Sequence, residues 1–376
     1  MLSNSGVPDA SNRVAAMKLA VVLGGGGLKG FAHIGVLRAL EERGIRPSIW
    51  AGTSIGALIA AAYLGGTPLD ELEQRADDLR QGDLFRIDHI GMVTRRMRNT
   101  SLYLGEPLRK LIEAIVPEGT FEAWGVPLLV NTVNLEQGEQ VVFGLPGLRD
   151  ASVRDAVYAS CALPGFFPPG PVGDFTCVDG GVMDNVPARA ASYGMDAVLA
   201  VDVGSSSIAI QRRIYKKGFA AIYQRSAQAM MHSLQHAQLS LWDGPPMVLA
   251  RPRVWHFSWF AFGRAPQFRE AGYEAALQAI DVLPDALAAG AGVWPKRQVE
   301  LAVDEGKCTG CTICAAAAPQ VMRMNARGKA EPRLPVQLWS RADGWWVHQC
   351  PTDAIDVTVF EGSERRQSRQ LEAVEE

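Results

Sequence analysis

Near its start the chain writes one unit twice: a short apolar run, a glycine-bearing turn and a helical pattern. Lys18 to Leu23 is rich in strand-forming residues, and Gly24-Gly25-Gly26-Gly27-Leu28-Lys29-Gly30 is a loop. In Phe31 to Glu42 the residues Ile34, Leu37 and Leu40 then recur at helical spacing. Ser48 to Ala51 is the next strand candidate, Gly52-Thr53-Ser54-Ile55-Gly56 its turn, and Ala57 to Leu64 a helix of small residues. Successive βα units imply an α/β fold, a mostly parallel sheet covered by helices. Further buried strands are expected at Pro127 to Val133, Gln140 to Phe143, Asp174 to Val178 and Ala197 to Val203. Helices are expected at Gly105 to Ile115, Val153 to Ala159, Gln211 to Trp242 (one helix or two) and Ala271 to Leu287, the last before Gly290-Ala291-Gly292.

The character changes near residue 290. With 376 residues, two or three domains are expected. The reading is a disordered tail over 1–17, an α/β domain over 18–290, a linker over 291–298, a cysteine-bearing domain over 299–360 and a charged tail over 361–376. A formal charge of −3 and the lack of a long basic block exclude nucleic acid as a partner. Four of the six cysteines fall at ligand-like spacing after residue 307, which reads as metal ligation by reduced thiols and places the protein in the cytoplasm. Leu19 to Leu23 is too short for a signal-peptide core. Ile55 to Leu64 has about half of the roughly 20 apolar residues that a span needs.

Three fragments carry chemistry. In Gly52-x-Ser54-x-Gly56 a tight strand-to-helix turn projects the serine hydroxyl, making Ser54 a candidate nucleophile; a plain helix N-cap is the alternative. The four glycines from Gly24 place backbone amides and a helix N-terminus where an oxyanion would form. Phosphate binding competes as an explanation, but Lys29 is followed by Gly30 and Phe31 rather than by Ser or Thr, and no acidic residue follows the second strand. Asp179-Gly180-Gly181, after the strand ending at Val178, offers a carboxylate as general base or simply a turn aspartate. A Ser-His-Asp arrangement stays open, with His33 read as a packing residue.

Taken in order, GGGGLKGFAHIGVL (Gly24 to Leu37), AGTSIGAL (Ala51 to Leu58) and VDGGVMDNVP (Val178 to Pro187) resemble the bacterial patatin-like phospholipase family. The resemblance covers about residues 18–285 and includes Ala159 to Pro169 (ASCALPGFFPP). It implies a three-layer α/β/α sandwich, a Ser54–Asp179 dyad without histidine, and an oxyanion hole from the amides of Gly25, Gly26 and Gly27. The implied substrate is a phospholipid, lysophospholipid or other long-chain acyl ester. Lys29 matches the basic position of the family loop and would help place that loop, attract a phosphate headgroup or stand solvated.

Two stretches invite lipid contact. Ile208 to Tyr223 mixes Arg212, Arg213, Lys216 and Lys217 with Ile210, Ile214 and Phe219, suiting peripheral contact with an anionic inner-membrane surface or, more simply, a helix with one core face. Val254 to Phe262 (VWHFSWFAF) alternates as a core strand does, with an acyl groove as the alternative.

Cys308-x2-Cys311-x2-Cys314 with a distant Cys350-Pro351 has the spacing that wraps three irons and closes a fourth corner; zinc sites favour two separated pairs. Cys308 to Met322 and Cys350 to Ile355 resemble a single-cluster bacterial ferredoxin, which implies a small α+β domain holding one 4Fe-4S cluster on Cys308, Cys311, Cys314 and Cys350. The insert from Asn325 to Gln349, with Trp339, Trp345 and Trp346, is expected to pack on the first domain or roof the cluster. Cys161 and Cys177 read as buried small hydrophobes. The whole reads as a serine acyl hydrolase whose cluster regulates, stabilises or docks it. The alternative is an electron-transfer protein with a redox partner, whose first domain binds lipid.

Overall fold

The computed structural model describes residues 17–88, 100–204, 214–361 and 364–367. Its main sheet has nine strands: β1 (Leu19–Leu23), β2 (Ile49–Thr53), β3 (Leu128–Asn134), β4 (Glu139–Phe143), β5 (Gly170–Val172), β6 (Phe175–Asp179), β7 (Ala197–Val201), β8 (Met247–Ala250) and β9 (Val293–Trp294). The order is β5-β6-β3-β2-β1-β7-β8-β9, with β4 also on β3. Every pair from β3 to β9 along that path is parallel, while β4, β5 and β6 pair antiparallel.

Strand β1 is buried on both faces because its side chains alternate between two cores. Leu19, Val21 and Leu23 join α1 (Ala32–Glu42), α2 (Ile55–Leu64), α3 (Leu69–Asp78), α4 (Glu106–Ile115) and α5 (Val153–Cys161). Ala20 and Val22 face a thinner core with Val198, Ala200, Met247 and Leu249. The long helices α6 (Phe219–Ser240) and α7 (Ala265–Ala289) complete the covering layers, α7 packing on α1. This is a mixed α/β architecture with a mostly parallel central sheet.

A second sheet runs β13-β10-β14-β15, all antiparallel, from β10 (Arg297–Val303), β13 (Val336–Trp339), β14 (Ile355–Glu361) and β15 (Glu364–Gln367); β11 (Met322–Met324) and β12 (Ala330–Pro332) form a separate hairpin. Its core gathers Cys308, Cys314, Met322, Trp346, Val347 and Ile355.

Several expectations need correction. Val254 to Phe262 is a turn-rich loop, not a strand; β8 stops at Ala250 and Pro252, with no N–H to donate, blocks its continuation. Residues 291–298, read as a linker, hold β9 and the start of β10. Glu364–Gln367, read as tail, pairs with β14. The insert serves both expected ends: Trp346 and Val347 pack around the cysteines, and Ala342 packs on the thinner core of the main sheet. Residues 1–16, 205–213 and 368–376 lie outside the described residues, and with them Ile208 to Arg213 of the basic stretch; its remainder is a short helical turn, Ile214–Lys217, and the start of α6.

Candidate active site

Ser54 leaves β2 at φ 54° and ψ −126°, a region that L-residues avoid, so the turn into α2 is strained. Neighbours hold it there. The Ser54 amide donates to Ser160 Oγ at 2.8 Å, and Ser160 Oγ donates to the Asn131 carbonyl at 2.7 Å. Asn131 Nδ2 in turn donates to Thr53 Oγ1 (3.1 Å) and to the Asp184 carbonyl (2.7 Å). Gly56 admits no side chain, because a Cβ there would overlap the Leu23 carbonyl.

Strand β3 brings the carboxylate to the serine. Its Asn131 is in register with Thr53 of β2 on one side, and its Thr132 with Asp179 of β6 on the other. Asp179 is buried, and that burial pushes its carboxyl up to about 6; the Ser54 hydroxyl and the Gly181 amide, which donates to Oδ1 at 2.8 Å, pull it partly back. Cys161 joins them: burial and the nearby Asp179 charge push its thiol well above the usual range, while Ser54 offsets part of this. It lines the cavity beside the serine, which the plain-hydrophobe reading did not foresee.

The glycine loop follows β1. Gly24 donates to the Val201 carbonyl at 2.9 Å, Gly25 to the Asn185 carbonyl at 3.2 Å and Leu28 to the Trp259 carbonyl at 2.8 Å. The Gly25 amide is therefore engaged, whereas those of Gly26 and Gly27 have no partner among the described residues. Gly27 has φ +59°, and a Cβ on it would sit 2.5 Å from the Trp259 carbonyl oxygen. His33 Nε2 donates to the Gly24 carbonyl at 2.7 Å, and burial pushes the imidazole down to about 4, so it is a neutral brace for the loop and does not line the cavity. Lys29 is 3% exposed, not solvated; burial pushes it down to about 8 and nearby Asp202 partly restores it.

Ser54, Asp179 and Gly25 to Gly27 all line one cavity of about 520 Å³. Its far wall is apolar, from Leu58, Ile59, Leu72, Leu108, Ile115 and Phe167. The loop from Trp255 to Phe260 forms another wall, so the aromatic run takes the groove-lining role. His256 is at that wall, but its ring stacks 4.1 Å from Phe257.

Sequence reasoning passed over Asn131, Ser160, Asp184 and Asn185. Asp184, also pushed up to about 6 by burial, accepts from Gln140 and the Val186 amide; Asn185 clamps Gly25 through its carbonyl and its Nδ2. The available signal was a polar residue, Asn131, inside an otherwise apolar strand.

Cys308, Cys311, Cys314 and Cys350 line a second, small cavity with Thr309, Thr352, Ala354 and Ile355. Among the described residues no three His, Cys, Asp or Glu side chains are grouped closely enough to hold a metal ion, although all four cysteines line this cavity. Amides point at the sulfurs, Ala330 to Cys308 Sγ at 3.5 Å and Ala354 to Cys350 Sγ at 3.3 Å. Burial pushes the Cys350 thiol up, but amides around it, led by Ala354, outweigh this and leave it below the usual range.

A strained serine on a strand-to-helix turn, beside a carboxyl and over an apolar cavity, is the arrangement that α/β acyl hydrolases use. The patatin-like phospholipase family model matches residues 21–192, and the 4Fe-4S single cluster domain model matches residues 301–357. The chain thus carries both domains in tandem. Patatin-like phospholipase domain-containing protein 6 of Mus musculus is 33% identical over 190 residues, 50% of this chain and 14% of that protein. Lysophospholipase NTE1 of Mycosarcoma maydis is 33% identical over 214 residues, 54% of this chain and 11% of that one. The similarity is to one part of much longer proteins. Among solved structures, VipD from Legionella pneumophila is 15% identical, covering 70% of this chain and 67% of that chain at a TM-score of 0.40. No described helix is long and apolar enough to cross a membrane.

Proposed function

We propose that the protein hydrolyses the acyl ester of a phospholipid, lysophospholipid or similar long-chain substrate, with Ser54 as nucleophile and Asp179 as general base. The observation that carries this reading is the strained Ser54 beside Asp179, at an apolar cavity that also receives two unengaged glycine-loop amides. Asp179 takes the Ser54 proton as Oγ bonds to the ester carbonyl carbon. The amides of Gly26 and Gly27 receive the oxyanion, while Gly25 anchors the loop through Asn185. The C–O bond to the leaving alcohol then breaks and Asp179 returns the proton to it. Water, activated by the same carboxylate, releases the fatty acid.

The cysteine cavity offers the donor set of an iron-sulfur cluster, four thiols on one lining with backbone amides donating to Cys308 Sγ and Cys350 Sγ. Cys308, Cys311, Cys314 and Cys350 would hold the 4Fe-4S cluster, which supplies one-electron chemistry or a rigid cross-link when bound. In this reading it regulates, stabilises or docks the hydrolase.

The test is anaerobic hydrolysis of a fluorogenic phospholipid and a simple acyl ester, by wild type and Ser54→Ala, in oxidised and dithionite-reduced forms. Turnover that vanishes in Ser54→Ala supports the hydrolase. Turnover that survives the substitution refutes it, and a reversible response to reduction identifies a redox switch.

A further inference from the structure

Helix α6 touches both sites. Arg225, Gln228 and Met231, spaced along one of its faces, line the acyl cavity. The Met231 methyl lies over the turn after Asp179, 3.3 Å from where a Cβ on Gly181 would stand, and Gln238 Nε2 donates to the Met183 carbonyl at 3.3 Å. The same helix packs against the turn Trp345–Gln349, which runs directly into Cys350 and whose Trp346 and Val347 pack with Cys308 and Cys314. His236 lies within electrostatic reach of Arg341 and His348 from that side.

We propose that α6 is a positioning element for the Asp179 carboxyl and that the cysteine-bearing sheet props it, so the state of the Cys350 segment is felt at the general base. The proposal rests on the hydrolase reading. Its physical basis is an element that carries an unsatisfied buried amide at Gln235, between its Met231 and Gln238 contacts. Gln235 is 4% exposed with both amide atoms unpartnered, a standing cost that α6 carries between its contacts with the two sites. Motion of α6 would lift Met231 from the Asp179 turn and admit water beside a carboxyl whose environment depends on being dry. The other groups facing Asp179 are the Ser54 hydroxyl, the Cys161 thiol and the Gly181 amide, with Lys29, Arg75 and Arg225 as cations and His256 as a further titratable group on the same cavity.

The experiment uses anaerobically purified protein with its iron-sulfur absorbance intact, compared with the same protein stripped by a chelator. Two readouts are taken: kcat/KM against pH on a short soluble ester, and hydrogen exchange over residues 225–240 with α1 as an internal control. Stripping is expected to speed exchange in 225–240 about tenfold relative to α1 and to lower the acidic limb by roughly half a pH unit, as water stabilises the carboxylate. Met231→Gln is expected to lower the limb in loaded protein, and Met231→Leu to leave it in place. If Met231→Gln does not fold, Gln238→Ala tests the other contact. Equal exchange and an equal acidic limb in loaded and stripped protein would overturn the coupling. Turnover that persists in Ser54→Ala would instead overturn the hydrolase reading, while the exchange comparison still decides whether α6 senses the cysteine site.

Discussion

Asp179 is 5% exposed and holds its proton to about pH 6, whereas the same carboxyl in an unfolded chain releases it near 3.8. A raised carboxyl makes the folded state bind more protons than the unfolded one between those values. Its contribution to stability is therefore favourable below about pH 4 and is lost as pH rises through 6. Above that the buried charge costs about 3 kcal/mol. As the proposed general base Asp179 acts in its ionised form, so kcat/KM is expected to fall as pH drops through about 6, read from the acidic limb of a pH-rate profile. Asp179→Asn separates the two effects: turnover is lost, while denaturant unfolding at pH 8 should show a gain of about 2 kcal/mol. A loss of stability in that variant would mean that the carboxylate is held by partners worth more than its burial costs.

Elements were legible where one force dominated. The periodicity of Ile34, Leu37 and Leu40 predicts α1, and the glycines around Ser54 predict a turn that is present as β2 into α2. Alternation misled at Val254 to Phe262, because the aromatics there line a cavity rather than a sheet face. The clamp on the elbow was illegible for a different reason: Asn131, Ser160 and Asp184 meet only when β3 lies between β2 and β6, a long-range pairing that no local window contains. The Gly25 amide shows the same limit, since its partner Asn185 is distant in sequence. Close approach of α2 to β1 gives an element-scale prediction. Gly56→Ala should lower stability by about 3 kcal/mol in thermal unfolding, since its Cβ meets backbone that has no room to yield.

At the scale of the whole molecule, the two sheets share a contact that composition did not announce. Ala342, from the cysteine-bearing part, packs against the thinner core of the main sheet, as Trp242 and Leu239 do. Ala342→Glu places a charge there and is expected to cost about 2 kcal/mol in calorimetric unfolding, with the C-terminal part melting earlier than the rest. Unchanged melting would show that the contact contributes nothing to cohesion. Strands β9 and β10 belong to different sheets, yet only Pro295 and Lys296 separate them. Two residues reach at most about 7 Å, so the cysteine-bearing sheet cannot leave its neighbour to search for another surface. Anything that binds one sheet meets the other beside it, and an insertion at that junction is expected to loosen a fixed pair into two tethered parts.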